Sequence, residues 1–206
     1  MDSTGWIILE TAETEFHAAH LHQKETVFTI GNGYLGTRGS FEEGYPGAWP
    51  ATLINGVYDA VPVVYTELAN CPDWLPLVIF INGDRFRLDQ GEVLGYQRWL
   101  DMSRGVLVRK VLWCSPAGHT FEFQFERFAS LADQHVLAIR CQITSIDFVG
   151  TVEVHAGING YPDTQGILHW EWLDQQVNCD RAVIHLRSRQ SKIELGMATR
   201  LHITGV

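Results

Sequence analysis

The sequence has few charged residues, lacks a basic stripe and lacks a long apolar run, and these absences argue against several classes of protein. Charged side chains make up 19% of the 206 positions, and 15 basic against 24 acidic residues leave a net charge of −9. Without a basic stripe, we do not expect nucleic acid as a partner. The amino terminus lacks the basic start and the apolar run of a signal peptide, and no stretch is long enough to span a membrane. We therefore expect neither export nor membrane insertion.

Cysteine is scarce, and its spacing argues against disulfides and metal binding. None of the four cysteines belongs to a C-x-x-C pair: Cys71, Cys114, Cys141 and Cys179. Such a set is typical of reduced thiols in a cytoplasmic protein. Three histidines fall close together near the amino terminus, namely His17, His20 and His22. Their spacing fits no zinc pattern, so we expect surface histidines and no metal site.

Helical periodicity is missing beyond the first quarter of the chain, and regularly spaced strands take its place. Asn82-Gly83 predicts a tight hairpin between Leu77–Ile81 and Arg85–Leu88. Residues His119–Phe128 alternate strictly, with phenylalanines on one face and polar side chains on the other. Further strands are predicted at Trp6–Glu10, Val106–Cys114, His135–Ile143, Gly150–Ala156, Ile167–Leu173, Ala182–Arg187 and Ile193–His202.

Hairpin-connected strands without crossover helices predict an all-β protein. We expect a large antiparallel β-sandwich that forms a single domain over residues 1–206. The last predicted strand runs almost to the final residue, so we also expect the chain to be part of a longer protein.

One glycine-rich stretch, residues 31–36, matches the G-x-G-x-x-G fingerprint of dinucleotide-binding proteins. That fingerprint binds pyrophosphate only where its third glycine opens a helix. Four breakers follow within a few residues and prevent a helix of useful length: Gly39, Gly44, Pro46 and Gly47. We therefore expect a strand at Thr26–Ile30 that enters a tight β-turn, and no bound nucleotide.

No arrangement of reactive groups commits the chain to an enzymatic reaction. The adjacent Glu42 and Glu43, or Asp101 with Glu92, could form the carboxylate pair of a glycosidase. Adjacent carboxylates on a strand point to opposite faces, so solvated surface acids are the favoured interpretation. Arg98 and Asp101 share one extended run and are kept as candidate site residues, although a structural ion pair with neighbouring residues is favoured.

Several motifs in one order carry a resemblance that covers nearly the whole chain. They lie at Thr29–Gly39, Asn55–Asp59, Glu67–Leu75, Tyr96–Met102, Gly105–Arg109 and Arg127–His135. Together they resemble the N-terminal domain of glycoside hydrolase family 65, which includes maltose, trehalose and kojibiose phosphorylases. The resemblance implies a β-supersandwich similar to galactose mutarotase, in agreement with the strand pattern.

The resemblance also implies that the catalytic residues lie elsewhere. Family members carry the general-acid glutamate and most sugar and phosphate contacts in a helical (α/α)6 barrel that follows this domain, and the chain has no such helical repeat. No catalytic residue and no cofactor are therefore implied here, with inorganic phosphate as co-substrate if the full protein is a phosphorylase. In the family, an acid protonates the glycosidic oxygen while phosphate or water attacks from the opposite side.

The expected partner is thus a catalytic barrel, and the expected docking surface consists of two early loops, Gly31–Gly39 and Tyr58–Trp74. The predicted aromatic anchors and the arginine at the edge of this surface are Tyr34, Tyr58, Trp74 and Arg38. We expect the arginine to meet a carboxylate there. An isolated chain with such a surface should self-associate, and a homodimer is one form that this would take.

Two alternatives stay open. The seven tryptophans and the mutarotase-like fold also suit a free-standing carbohydrate-binding module, although tryptophan packs equally well in a large β core. An independent aldose mutarotase would need a histidine and an acid that converge on a concave face. Its candidate histidines are His119, His135, His155 and His185.

Overall fold

The structure is a computed structural model that describes residues 11–60 and 65–205. The predicted strand Trp6–Glu10 lies outside the described residues. Within them the chain forms sixteen strands: β1 (Thr11–Glu13), β2 (Ile30–Gly31), β3 (Leu35–Thr37), β4 (Thr52–Ile54), β5 (Tyr58–Ala60), β6 (Thr66–Leu68), β7 (Leu77–Ile81), β8 (Asp84–Arg85), β9 (Glu92–Asp101), β10 (Val106–Cys114), β11 (Thr120–Ala129), β12 (Leu137–Ser145), β13 (Val152–Ala156), β14 (Trp170–Val177), β15 (Arg181–Ser188) and β16 (Glu194–Arg200). A short helix, α1 (Leu21–Val27), follows a 3-10 turn at Ala18–His20. The predicted all-β fold with antiparallel sheets is confirmed.

The helix α1 occupies part of the segment predicted as a strand. Leu21 and Glu25 lie one turn apart, so they share the buried face of this helix. The backbone N–H of Phe28 closes the helix by donating to the carbonyl four residues earlier at 2.9 Å. The strand prediction for Thr26–Ile30 is therefore wrong over most of its length, since only Ile30 enters β2. A short apolar run does not by itself distinguish a strand from the end of a helix.

The largest sheet is antiparallel and has the order β1-β9-β10-β11-β12. Phe121, Phe123 and Phe125 on β11 are fully buried, whereas the alternate side chains face away from the core. The same inward face continues with Arg127, and Arg98 occupies an inward position on β9. The strand β9 is not among the predicted strands, although Arg98 and Asp101 belong to one extended run in the sequence.

The three-stranded sheet β13-β7-β8 packs against the inward face of the large sheet, and the two sheets enclose the first core. Asn82 and Gly83, with φ angles of 48° and 91°, form the predicted tight turn between β7 and β8. The second strand of this hairpin is shorter than predicted. The buried core between the two sheets includes Ile79, Ile81, Phe86, Trp113, Phe121, Phe123 and Phe125.

A second core joins two further sheets, β2-β3-β4 and β14-β15-β16. Leu35 on β3 and Ile54 on β4 belong to one buried cluster with Trp170 on β14 and Leu186 on β15. Gly36, the third glycine of the fingerprint, lies inside strand β3. A nucleotide-binding fold would begin a helix at this position, so the turn interpretation is confirmed. No helix in the described part of the chain is long and apolar enough to cross a membrane.

Candidate functional site

The glycine stretch forms one wall of a surface groove of about 250 Å³, which we name the tyrosine groove. Its walls come from the β2–β3 hairpin, from β4 and from the β5–β6 pair: Gly33, Tyr34, Leu35, Gly36, Leu53, Ile54, Asn55, Tyr58 and Leu68. Tyr58 is 47% exposed and Tyr34 is partly buried. Both rings therefore offer apolar surface with a polar tip. The structure brings together two of the three predicted aromatic anchors.

Asn32 holds the turn between β2 and β3 in place. Its Oδ1 accepts the N–H groups of Tyr34 and of the following residue at 3.1 and 3.0 Å. Its Nδ2 donates to the carbonyls of Ser130 at 2.7 Å and Gln134 at 3.0 Å. Gly33 supplies the left-handed conformation that the turn needs, with φ of 88°. This network ties the turn to the loop between β11 and β12 and so fixes where the Tyr34 ring lies.

Next to Tyr58 lies a group of three side chains, the buried Asp59 and His169 and the partly exposed Glu67, which we name the histidine cluster. Nδ1 of His169 lies 3.1 Å from Asp59, and Nε2 lies 2.8 Å from Glu67. Each ring nitrogen of His169 therefore has a carboxylate oxygen as its hydrogen-bond partner, and the ring bridges the two acids. Because Asp59 and His169 are 110 positions apart, no spacing pattern in the sequence indicates this site, and sequence reasoning missed it.

Asp59 also anchors the loop between β15 and β16. Its Oδ1 accepts the N–H groups of Ser191 at 2.7 Å and Gln190 at 3.0 Å. Burial alone raises the pKa of the Asp59 carboxyl, but these hydrogen bonds and the contact with His169 hold its pKa below the usual value. With both ring nitrogens of His169 occupied, the cluster offers no free general base. It instead joins the β5–β6 pair to the start of β14 and so orients Tyr58.

A second charged group lies inside the molecule and is formed by Arg98 on β9, Arg109 on β10 and Arg127 on β11 together with Glu42 and Glu43. We name it the arginine cluster, and each member is at most 5% exposed. Arg109 donates to Glu43 at 2.7 Å and to Glu42 at 2.8 Å, and Arg127 lies 3.4 Å from Glu42. Burial alone raises the pKa of the Glu42 carboxyl, but Arg127 and Arg109 hold its pKa below the usual value.

Glu42 and Glu43 are therefore not solvated surface acids, and that prediction is wrong. They lie in a turn rather than a strand, so the rule that neighbouring side chains point to opposite faces does not apply to them. The predicted ion pair of Arg98 is also replaced by other contacts. Its guanidinium lies over the rings of Phe28 at 4.4 Å and Phe41 at 5.2 Å and donates to a backbone carbonyl.

Two further predicted residues do not line the tyrosine groove. Arg38 donates to a backbone carbonyl of α1 at 3.0 Å and lies 3.4 Å from the buried carboxylate of Glu25. It thus already meets a carboxylate within this chain. Trp74 donates through its Nε1 to the hydroxyl of Thr37 at 3.3 Å, so its polar edge is directed at β3.

Asp101 is the last residue of β9 and stands at the start of the turn that follows. Its Oδ1 accepts from the hydroxyl of Ser103 at 2.7 Å and from the N–H groups of Ser103 and Arg104 at 3.1 and 3.2 Å. These bonds, above all that of the Ser103 hydroxyl, hold the pKa of Asp101 below its usual value. Because Arg98 points into the core while Asp101 stabilises an exposed turn, the two form no common site.

The histidines that a mutarotase would need do not converge. The four candidates pack at separate places: His119 against Phe148, His135 against Tyr34, His155 against Phe80 and His185 beside Glu194. The three amino-terminal histidines are exposed, as predicted: His17, His20 and His22. Over residues 11–60 and 65–205, no group of histidine, cysteine and acidic side chains could hold a metal ion.

Known proteins resemble this chain in both sequence and fold. The sequence model of the family described as glycosyl hydrolase family 65, N-terminal domain, matches residues 11–205 of this chain. A kojibiose phosphorylase of Halothermothrix orenii is 36% identical over 190 residues, which is 92% of this chain and 24% of that protein. An α,α-trehalose phosphorylase of Thermoanaerobacter brockii is 36% identical over 170 residues, which is 75% of this chain and 22% of that protein.

A solved structure from the human microbiome that bears the name of a kojibiose phosphorylase has a TM-score of 0.79 at 17% identity. The match covers 93% of this chain and 30% of that one, and it shows a shared fold. The chain therefore spans about a quarter of the length of the curated relatives it matches, 24% and 22% for the two named above.

Proposed function

Because the chain belongs to glycosyl hydrolase family 65 as an N-terminal domain, we propose that it is the accessory β-sandwich of an enzyme that cleaves α-glucosyl disaccharides. The observation that carries the proposal is the family match over residues 11–205. The relatives carry the names of kojibiose and trehalose phosphorylases, and most of their length lies outside the match. In this role the domain supports a catalytic (α/α)6 barrel and holds no catalytic residue of its own.

The proposed reaction is an inverting cleavage of the glycosidic bond. An acid of the barrel protonates the glycosidic oxygen, and inorganic phosphate attacks the anomeric carbon from the opposite face, which gives a glucosyl phosphate and a free sugar. In a hydrolytic member, water takes the place of phosphate. The state of Glu42 and Glu43 supports this division of roles, since both carboxylates are buried and bound to Arg109. Four free cysteines suit a reducing, cytoplasmic setting.

The tyrosine groove is the proposed docking site for the barrel. None of its wall residues is charged, so it suits apolar side chains of a partner. Its walls are fixed in advance by the Asn32 network and by the histidine cluster, and a preformed surface loses less conformational entropy on binding. Exposed tyrosines such as Tyr58 are common energetic anchors of protein interfaces.

An assay of the chain alone separates an accessory domain from an enzyme. The purified chain is incubated with kojibiose, trehalose or maltose and inorganic phosphate, and the release of a glucosyl phosphate is measured. We expect no product above a protein-free blank, because the adjacent glutamates that could form a glycosidase pair, Glu42 and Glu43, are buried and bound to Arg109. Turnover by the chain alone, retained after repeated purification, would refute the proposal.

Docking is tested by adding the barrel of a family 65 enzyme as a separate polypeptide and measuring binding by calorimetry. We expect the double substitution Tyr34→Ala and Tyr58→Ala to weaken binding at least about tenfold, because two aromatic anchors are removed. Tyr161→Ala is the matched control, since Tyr161 is 66% exposed but does not line the groove. Equal weakening by both changes would argue against the groove as the docking site.

A carbohydrate-binding module is the second candidate, and the same groove is the observation that favours it. Its two tyrosines, Tyr34 and Tyr58, offer flat apolar faces with polar tips, against which a sugar ring could pack. Maltose, trehalose and glucose are titrated into the chain while tryptophan fluorescence and heat are followed. Saturable binding that Tyr58→Ala abolishes would favour the carbohydrate-binding module. Titrations with no change in fluorescence or heat would favour the accessory domain.

A further inference from the structure

The arginine cluster lines a small cavity of about 10 Å³, which is room for one water-sized guest. Its walls are Ser40, Phe41, Glu42, Arg98, Leu107, Arg109, Phe125 and Arg127. The rings of Phe41 and Phe125 both lie 4.4 Å from the guanidinium of Arg109. All of its wall residues are buried, and it shares no wall residue with the tyrosine groove.

Three guanidinium nitrogens of the wall residues have no hydrogen-bond partner among the described residues. They are Nε and Nη1 of Arg98 and Nε of Arg127, and the hydroxyl of Ser40 is likewise unpartnered. Ser40 is 2% exposed, and each arginine is 1% exposed, so bulk water does not reach these groups. A buried donor without an acceptor is unfavourable, and a guest that accepts hydrogen bonds removes that cost.

The charges around the cavity favour a negative guest. Three guanidiniums are matched by only two carboxylates in the cluster, those of Glu42 and Glu43. Asp73 also interacts with Arg127, but it is not a wall residue of the cavity, and burial raises the pKa of its carboxyl. A buried charge without a partner is strongly unfavourable. A monatomic anion accepts several N–H groups at once, whereas a water molecule must also find acceptors for its own two protons.

We propose that this cavity binds a single monatomic anion, with chloride as the physiological ion, held by Arg98, Arg127 and Ser40. The anion completes the hydrogen bonding of two arginines on β9 and β11 and of a residue in the glycine-rich segment. It therefore joins the large sheet to the segment that leads from the tyrosine groove. The site is structural, and it does not depend on the function proposed above.

Chloride-dependent stability is the first test. The chain is melted while chloride is varied over about a hundredfold range, with sodium gluconate holding the ionic strength constant. Gluconate is too large for the cavity. Above the dissociation constant we expect the Tm to rise by about 3–6 °C for each tenfold increase in chloride, and bromide to act in the same way. A Tm that is equal in chloride and gluconate would overturn the proposal.

Bromide locates the anion. Crystals grown in sodium bromide are expected to show an anomalous difference peak in the cavity, beside Arg98 and Arg127. Density without an anomalous signal identifies the guest as water and overturns the proposal. Ser40→Ala removes one donor and should weaken the chloride dependence of the Tm, whereas Ser103→Ala in the exposed turn should leave it unchanged. If Ser40→Ala does not fold, the bromide experiment on the unsubstituted chain decides the question.

Discussion

Replacing Glu42 with glutamine tests whether the arginine cluster holds the fold together. The Glu42 side chain is 5% exposed and lies 2.8 Å from Arg109 and 3.4 Å from Arg127. Glutamine keeps its size and removes its charge, so two buried guanidiniums lose a shared counterion. Removing one partner of a buried ion pair costs about 3–5 kcal/mol in free energy of unfolding. For a domain of this size, that loss lowers the Tm by about 6–20 °C.

Glu126→Gln is the matched control because it makes the same chemical change on β11. Glu126 lies 3.6 Å from Arg140, whose side chain is 70% exposed. An exposed ion pair contributes about 0–1 kcal/mol, so the control should lower the Tm by no more than about 4 °C. Thermal melts and urea titrations followed by circular dichroism measure both variants. Equal losses in the two variants would refute the claim that the buried cluster carries stability.

The double substitution Glu42→Gln with Arg127→Met separates lost attraction from uncompensated charge. If the cost of Glu42→Gln comes from a guanidinium left without a counterion, removing that guanidinium should restore part of the stability. The urea midpoint of the double variant should then lie above that of Glu42→Gln alone. A midpoint that falls by the sum of the two single losses would show that the two residues act independently.

Three further results are expected. Acidification from neutral to about pH 3 should lower the urea midpoint, because the folded-state pKa values of Asp59 and Glu42 lie below their usual values. The stability that these two carboxylates contribute is full above their unfolded pKa of about 4. It is lost as the pH falls through their folded-state pKa values. Exposed Cys179 should react first with a thiol reagent, whereas Cys71, whose pKa burial raises to about 12, should react only after unfolding. Gly39→Ala should lower the Tm, because its methyl group would lie 2.5 Å from a guanidinium nitrogen of the arginine cluster.

The sandwich was predictable because its signals are local. The strict alternation along β11 and the Asn82-Gly83 turn depend only on neighbouring residues, and both appear in the structure where the sequence indicates them. The limits of this reasoning appear at α1, where a few apolar residues fit a helix end as well as a strand. The sequence indicates Tyr34 and Tyr58 as aromatic residues of early loops, and the structure places both in the tyrosine groove.

The two charged clusters could not be predicted, because each one depends on contacts between distant parts of the chain. A sequence shows that Glu42 is an acid, but only the folded chain brings Arg109 and Arg127 from two strands to its carboxylate. Composition therefore favours the exposed interpretation of an acid, which is the common case and is wrong here. The same reason hides the histidine cluster, in which His169 lies more than a hundred positions from its partner carboxylates.

The segment that begins with the glycine stretch connects the surface to the interior. Asn32 fixes the turn that places Tyr34 in the tyrosine groove. A few residues later, the bare backbone at Gly39 lets Arg98 reach a carbonyl that any larger side chain would obstruct. The next residues enter the arginine cluster through Glu42. One short segment therefore connects the groove to the buried charges, and its glycines serve packing and turn geometry rather than phosphate binding.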